Sequence, residues 1–280
     1  MEKLEFEIIE MPLQFTAGKE VREDDSFKVI ARDDNFKALS VMKKSYEPLF
    51  NRQFELIAEK MAEVSGFELL NFKEFKEGRI ILANLKNTSD VEELFGKKIE
   101  DYMILGSSHD GSYPFFIGTA MVNVWCQNQF SKISRIAKVR HTSTSEVKRD
   151  ALMADLEVYF KQRESILEHF TRFQKVEIPE ELRKEAIHRI FEIKKEDMLE
   201  GKISTRKLNQ MELVRGAYAI EAAEYGNTAY ALFNAFTRYT THTLESKDKV
   251  FGNFHGVPGW LNEKAYKVAE EIVEGNFIYK

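Results

Sequence analysis

Residues 102–124 read YMILGSSHDGSYPFFIGTAMVNV. Two apolar runs, 103–105 and 113–117, flank the pair Asp110-Gly111, which suits a tight hairpin turn because both central residues of such a turn must accept positive φ. Two antiparallel strands are therefore expected here. Upstream, β-rich segments at 27–31, 38–42, 67–75 and 79–85 alternate with glycine punctuation. One helix interrupts them. Asn51 is placed to cap residues 52–64, where Phe54, Ile57, Ala58, Met61 and Ala62 make an apolar stripe that ends at Gly66. The fold class that follows is α+β, with an antiparallel sheet and a packed helix in the N-terminal half.

Downstream the punctuation changes. Between 142 and 250 the only helix breakers are Gly201, Gly216, Gly226 and Pro179. Helical spacing of Leu152, Leu156, Tyr159, Ile166, Phe170 and Phe173 predicts a helix over 145–173. Pro179 starts the next, running to Gly201, and further helices are expected over 204–225, 228–244 and 262–273. The C-terminal half is thus helical. The division expected is an α+β domain over 1–142 and a mainly helical region over 143–280, with packing of the two as one unit left open.

Composition narrows the class. In 280 residues, 43% hydrophobic and 12% aromatic, there is enough apolar surface to build a real core, which excludes disorder as the main description. With 41 basic and 46 acidic side chains the net charge is −5, which argues against wholesale coating of nucleic acid and leaves room for a local basic site. One cysteine, Cys126, permits no internal disulfide, so the expected compartment is the cytoplasm. Residues 1–10 alternate acidic and apolar side chains and do not read as a signal peptide. The longest uncharged run, 111–131, contains Pro114, Asn123, Gln127, Asn128 and Gln129, which marks protein interior and no membrane span.

Two strings can carry chemistry. Turn formation explains Asp110 and Gly111 but leaves Ser108, His109 and Ser112 unassigned; a hairpin tip with hydroxyls, an imidazole and a carboxylate can bind phosphate or move protons. The second string begins at Trp125 and Cys126. Between Ser131 and Arg149 there are six Lys or Arg and one acid, Glu146. A helix over 125–137 would bury Cys126, Phe130, Ile133 and Ala137 and set Lys132 and Arg135 three apart on another face, where they can grip a phosphate. The bland alternative is a solvated cationic face. Cys126 as nucleophile would need His109 or His141 beside it, and a small buried hydrophobe is the commoner fate of a lone cysteine. The six histidines show no His-x-His or His-Glu-x-x-His spacing, so neither a metal nor a cofactor is expected. Near the C-terminus, Asn234, Arg238, Tyr239 and His242 fall in one helix, with Arg238 and His242 four apart on a polar stripe.

Taken in order, Asn51 opening a helix, Ser-His-Asp-Gly-Ser at 108–112, Cys-x-Asn at 126–128, Arg-His-Thr at 140–142 and Asn-x-x-x-x-Tyr-x-x-His at 234–242 resemble the phage/plasmid-like proteins of unknown function. The resemblance implies a mobile-element setting and no particular reaction. It suggests a single-stranded nucleic-acid binding or annealing protein, broadly similar in architecture to ring- and filament-forming annealing recombinases. Its groove would be lined by Lys132, Arg135, Lys138 and Arg140, with Tyr113, Phe115 and Trp125 for base stacking. Ser108, Ser112, Asn128, Thr142, Arg238 and His242 form a further candidate site. The alternatives are an inhibitor that binds a host defence protein, and an enzyme acting on nucleic acid through His109, Asp110, Cys126 and His141. A homo-oligomer is expected, because the helices after 144 carry more apolar faces than one sheet covers.

Overall fold

A computed structural model describes residues 3–88, 92–123, 128–136, 149–245, 252–254 and 256–279, with backbone alone at 92, 123, 133–136 and 149–153. Three strands come first: β1 (Ile8–Ala17), β2 (Glu20–Arg32) and β3 (Ala38–Lys43), antiparallel in the order β1-β2-β3. Helix α1 (Asn51–Ser65) follows, then β4 (Glu68–Phe75), β5 (Ile80–Lys86), β6 (Glu92–Leu94), β7 (Lys97–Ser108), β8 (Phe116–Asn123) and β9 (Gln129–Ile136). These make a second sheet in the order β4-β5-β7-β8-β9, with β6 paired to β7. The helices are α2 (Arg149–Lys175), α3 (Glu180–Ile190), α4 (Lys195–Leu199), α5 (Thr205–Tyr225), α6 (Ala229–Arg238), a π-helical turn (Tyr239–Thr243) and α7 (Val257–Val273). The α+β class expected from the sequence is what the chain adopts, with antiparallel sheets first and helices after.

The chain divides into two compact units, Met1–Val91 with Asp101–Thr119 and Ile133–Phe160, and Glu92–Glu100 with Ala120–Lys132 and Lys161–Lys280. In the first, α1 buries Phe54, Ile57, Ala58 and Met61 in one cluster with Ile8 and Ile30 of the first sheet and Ile81, Ala83, Met103 and Leu105 of the second. Strand β5 is apolar on both faces from Ile80 to Ala83, as a strand covered on both sides requires. In the second unit the core is aromatic. Phe130 stacks on Tyr266 at 5.2 Å, Phe170, Phe173 and Phe233 close around them edge-on, and Tyr230 meets Phe170 edge-on.

The caps and stops follow local chemistry. Gly66 ends α1 at φ 71, and the Ser204 and Thr228 hydroxyls accept the Lys207 and Ala231 amides at the starts of α5 and α6. Asn51 does not cap α1. The cap is the Glu7 carboxylate, 44 residues away, which accepts the Asn51 amide at 2.7 Å and the Arg52 amide at 2.9 Å.

Several expectations change. The helix expected over 125–137 is replaced, where the structure describes it, by strand β9, so the one-face pairing that a helix would give residues 132 and 135 is lost. A run as short as 129–136 suits a strand as well as a helix, and pairing within the sheet decides. Asp110-Gly111 is not a two-residue turn. Seven residues, 109–115, join β7 to β8, and only Gly111 of the pair has positive φ, at 67°. The helix from Pro179 stops at Ile190, where Glu192 turns the chain at φ 55, and the helix expected over 228–244 changes to π-helical at Tyr239. The last helix starts at Val257, with Pro258 in its first turn.

Gly106 of β7 shows how closely the second sheet is packed. A Cβ there would lie 2.3 Å from the Phe116 ring and 2.7 Å from Leu82 Cδ2. Overpacking of this kind destabilises by about 1–3 kcal/mol. Gly106→Ala is therefore expected to lower the unfolding free energy by that amount, read as a lower urea midpoint with native far-UV dichroism retained; an unchanged midpoint would show that Phe116 moves aside freely.

Candidate functional site

The residues singled out in the sequence fall into two clusters, one in each unit. The first surrounds His109. Its backbone amide donates to Arg79 O at 2.8 Å and its carbonyl accepts the Ser40 hydroxyl at 2.7 Å, so the loop after β7 is tied to β3 and to the start of β5. The ring is fully buried, with Nε2 2.8 Å from Asn51 Oδ1. Asn51 Nδ2 donates to Phe6 O at 2.8 Å, which fixes the amide so that its oxygen faces the imidazole. Nε2 therefore carries the proton and Nδ1 is left as a buried acceptor without a hydrogen-bond partner. Phe6 meets the ring edge-on at 6.3 Å and itself carries the Arg32 guanidinium 3.8 Å from its centroid. Burial pushes the imidazole down to about 4, against the opposing pull of Asp110.

The neighbouring hydroxyls hold the loop together. Ser108 Oγ donates to Tyr113 O at 2.8 Å and accepts the Tyr113 amide at 2.9 Å. Asp110 Oδ1 accepts the Ser112 amide at 2.9 Å and also the Ser112 hydroxyl. Gly111 takes the left-handed φ of 67° that favours glycine at this point of the loop. Tyr113 is half-buried and Phe115 is buried, so Phe115 offers no face to a base.

The second cluster centres on Glu221 of α5, which is 1% exposed. Asn128, just before β9, donates from Nδ2 to Glu221 Oε1 at 3.1 Å, and Arg238 Nε lies 3.3 Å from the same oxygen. Burial raises the carboxyl above its usual range, while the Asn128 hydrogen bond and the Arg238 charge act the other way. Glu221 Oε2, Asn128 Oδ1 and Asn234 Nδ2 have no hydrogen-bond partner. Asn128, Asn234 and Thr237 line a cavity of about 20 Å³ among Ile99, Met121 and four aromatic rings. The π-helical turn joins the network: Thr241 Oγ1 accepts the Gln129 amide at 3.3 Å, and the Thr240 hydroxyl donates to Asn262 Oδ1 at 2.9 Å. His242 is exposed, and Lys132 holds its ammonium 4.7 Å from the Tyr266 ring centroid.

Trp125, Cys126, Lys138, Arg140, His141 and Thr142, with the side chain of Arg135, lie outside the described residues. Among the described residues no group of three His, Cys, Asp or Glu side chains is gathered closely enough to hold a metal ion, and no helix is long and apolar enough to cross a membrane. Two of the residues that organise these clusters were not found by sequence reasoning. Glu221 stands on the buried face of α5 with Val214, Tyr218 and Tyr225, and an acid at that spacing is a readable signal. Glu7 gives no such sign.

Residues 38–254 match the model of the family described as "Domain of unknown function (DUF932)", and the chain belongs to that family. The match begins at β3 and ends before α7, so it contains both clusters except Phe6, Arg32, Asn262 and Tyr266. No curated protein and no solved structure matches the chain.

The buried imidazole makes stability pH-dependent. Above about pH 6.5 it is neutral in the folded and the unfolded chain. As pH falls from 6.5 towards about 4, the unfolded chain binds a proton that the folded chain refuses, so folding loses stability across that window and not above it. The loss is on the order of 3 kcal/mol. His109→Gln, whose amide can still donate to Asn51 Oδ1 but does not titrate, is expected to flatten the urea midpoint between those pH values; an equally steep fall in the variant would assign it to other groups.

Proposed function

We propose that this protein binds single-stranded nucleic acid in the cytoplasm, in the DNA metabolism of a mobile element such as a phage or plasmid, using the basic run that begins in β9. One observation carries the reading: six Lys or Arg against one acid between Ser131 and Arg149, in a chain of net charge −5, leading out of the strand that ends the order of the second sheet. A cationic segment fed from such a strand can follow a phosphate backbone. Lys132, Arg135, Lys138 and Arg140 are the contacts proposed, with Tyr113 and Trp125 as stacking candidates. Phe115 drops out because it is buried.

A second reading, an inhibitor that binds a host defence protein, is favoured by the far end of the β1–β2 hairpin. There Phe15 and Val21 are exposed beside Glu20, Glu23, Asp24 and Asp25, a surface suited to a protein and unsuited to a polyanion. The enzymatic reading through His109 and Asp110 draws little from the geometry, since the imidazole is enclosed and its Nε2 is engaged by Asn51.

Anisotropy of labelled single-stranded oligonucleotide at two salt concentrations separates these readings. Wild-type protein is expected to bind with strong salt dependence. Arg135→Ala combined with Lys138→Ala is expected to weaken binding and lower the salt slope by about 1.4, the value for two lost contacts to a single strand. Absent or salt-insensitive binding by the wild type overturns the proposal.

A further inference from the structure

Helix α5 has a second apolar face that nothing among the described residues of its own unit covers. Met211, Val214, Tyr218, Glu221 and Tyr225 are buried, while Leu213 and Ile220 on the opposite side are 49% and 54% exposed. Asn209, Gly216 and Ala223 share that outer side, so the stripe carries no charge between Arg206 and Glu224. These two residues stand about 27 Å apart along the axis. An uncharged helical face of that length is unusual on a surface where 31% of all residues are charged.

Gly216 lies at its middle. Its φ is not positive, and nothing comes within 4 Å of the place its Cβ would take. A mid-helix glycine costs stability relative to alanine, and here neither backbone conformation nor close packing inside the chain requires it. The missing side chain matters only to something approaching from outside, as at a helix–helix crossing where small residues let the backbones come close.

We propose that this face pairs with the same face of a second copy of the chain, α5 against α5 in antiparallel fashion about a two-fold axis beside Gly216. The pattern is self-complementary, which is what a two-fold contact demands. The axis that sets Leu213 of one copy against Ile220 of the other also sets Asn209 against Glu224, and it brings Arg206 within one helical turn of that same carboxylate. Glu224 is 41% exposed and so stays reachable from outside while it pairs with Lys97 at 2.5 Å. Each end of the crossing thus receives a donor and a cation for one acid, and each centre receives a glycine. Pairing through α5 uses no residue of the basic run, so it stands or falls separately from nucleic-acid binding.

Sedimentation equilibrium across a concentration series tests it. Wild-type protein is expected at twice the chain mass, and Leu213→Glu with Ile220→Glu at the single-chain mass with unchanged far-UV dichroism. A second variant covers the case in which the double substitution unfolds the chain. In a Cys126→Ser background, Gly216→Cys is expected to form a disulfide-linked dimer under mild oxidation, and Glu212→Cys, on the flank of the helix, is not. A wild type at single-chain mass throughout overturns the proposal, as does a dimer that survives the glutamates in a folded protein or a Gly216→Cys chain that fails to cross-link.

Discussion

The first unit depends on a chain of three hydrogen-bonded groups: the His109 imidazole, the Asn51 amide and the Phe6 carbonyl. An asparagine amide has one acceptor end and one donor end, and each is committed here, so the three partners fix one another's orientation. Through them the start of α1, the N-terminal segment and the loop after β7 are held at one point. The Glu7 carboxylate, one residue past Phe6, then falls on the open amides of α1. Burial of the imidazole is tolerable because the ring is neutral there and its Nε2–H is hydrogen-bonded to Asn51. A lysine or a charged acid at the same place would meet a far larger desolvation penalty.

The second unit is organised around the opposite compromise, a carboxylate with little water around it. Glu221 is accepted into an aromatic core because Asn128 and Arg238 reach it from β9 and α6. Removing one partner of such a set is more damaging than never having had it, since the remaining charge stays buried. The three polar atoms left without partners near the same spot show that satisfaction is incomplete. Close by, the turn at Tyr239–Thr243 adopts π geometry, which frees Thr240 and Thr241 to bond outside their own helix.

Much of the architecture was legible in the sequence. Strands β3, β4, β5 and the apolar part of β7, the stripe of α1 with its stop at Gly66, and the starts of α3, α5 and α6 follow from period, caps and breakers. The misses have physical causes. Strand β9 has helical and strand periods superposed over a short run, and only neighbouring strands arbitrate between them. Asn51 has the right residue type at the right place for a cap, yet a carboxylate distant in sequence displaced it and freed its amide for His109. Asp110 uses its side chain on Ser112 to build a wider loop where a two-residue turn was expected, and no local pattern distinguishes those uses.

The same contrast bears on where recognition happens. Of the strings that made the chain look like a family, Asn51 and Ser108 to Ser112 turn out to be heavily engaged in holding their own unit together, while Asn128 and Asn234 are buried with one polar atom each left unpartnered. His109 is enclosed, Ser108 bonds Tyr113 on both sides, and Asn128 is anchored on Glu221. A side chain with its hydrogen-bonding capacity committed inside the fold has little left for a ligand. Residue types that look catalytic in a linear reading can therefore be there because a buried polar junction needs them. The partners proposed above use surfaces that the fold does not require: the basic run after β9, the acidic end of the β1–β2 hairpin and the outer face of α5. None of these is a motif, because a surface selected by a partner needs only the right charge and shape, and its spacing is set by something outside the chain.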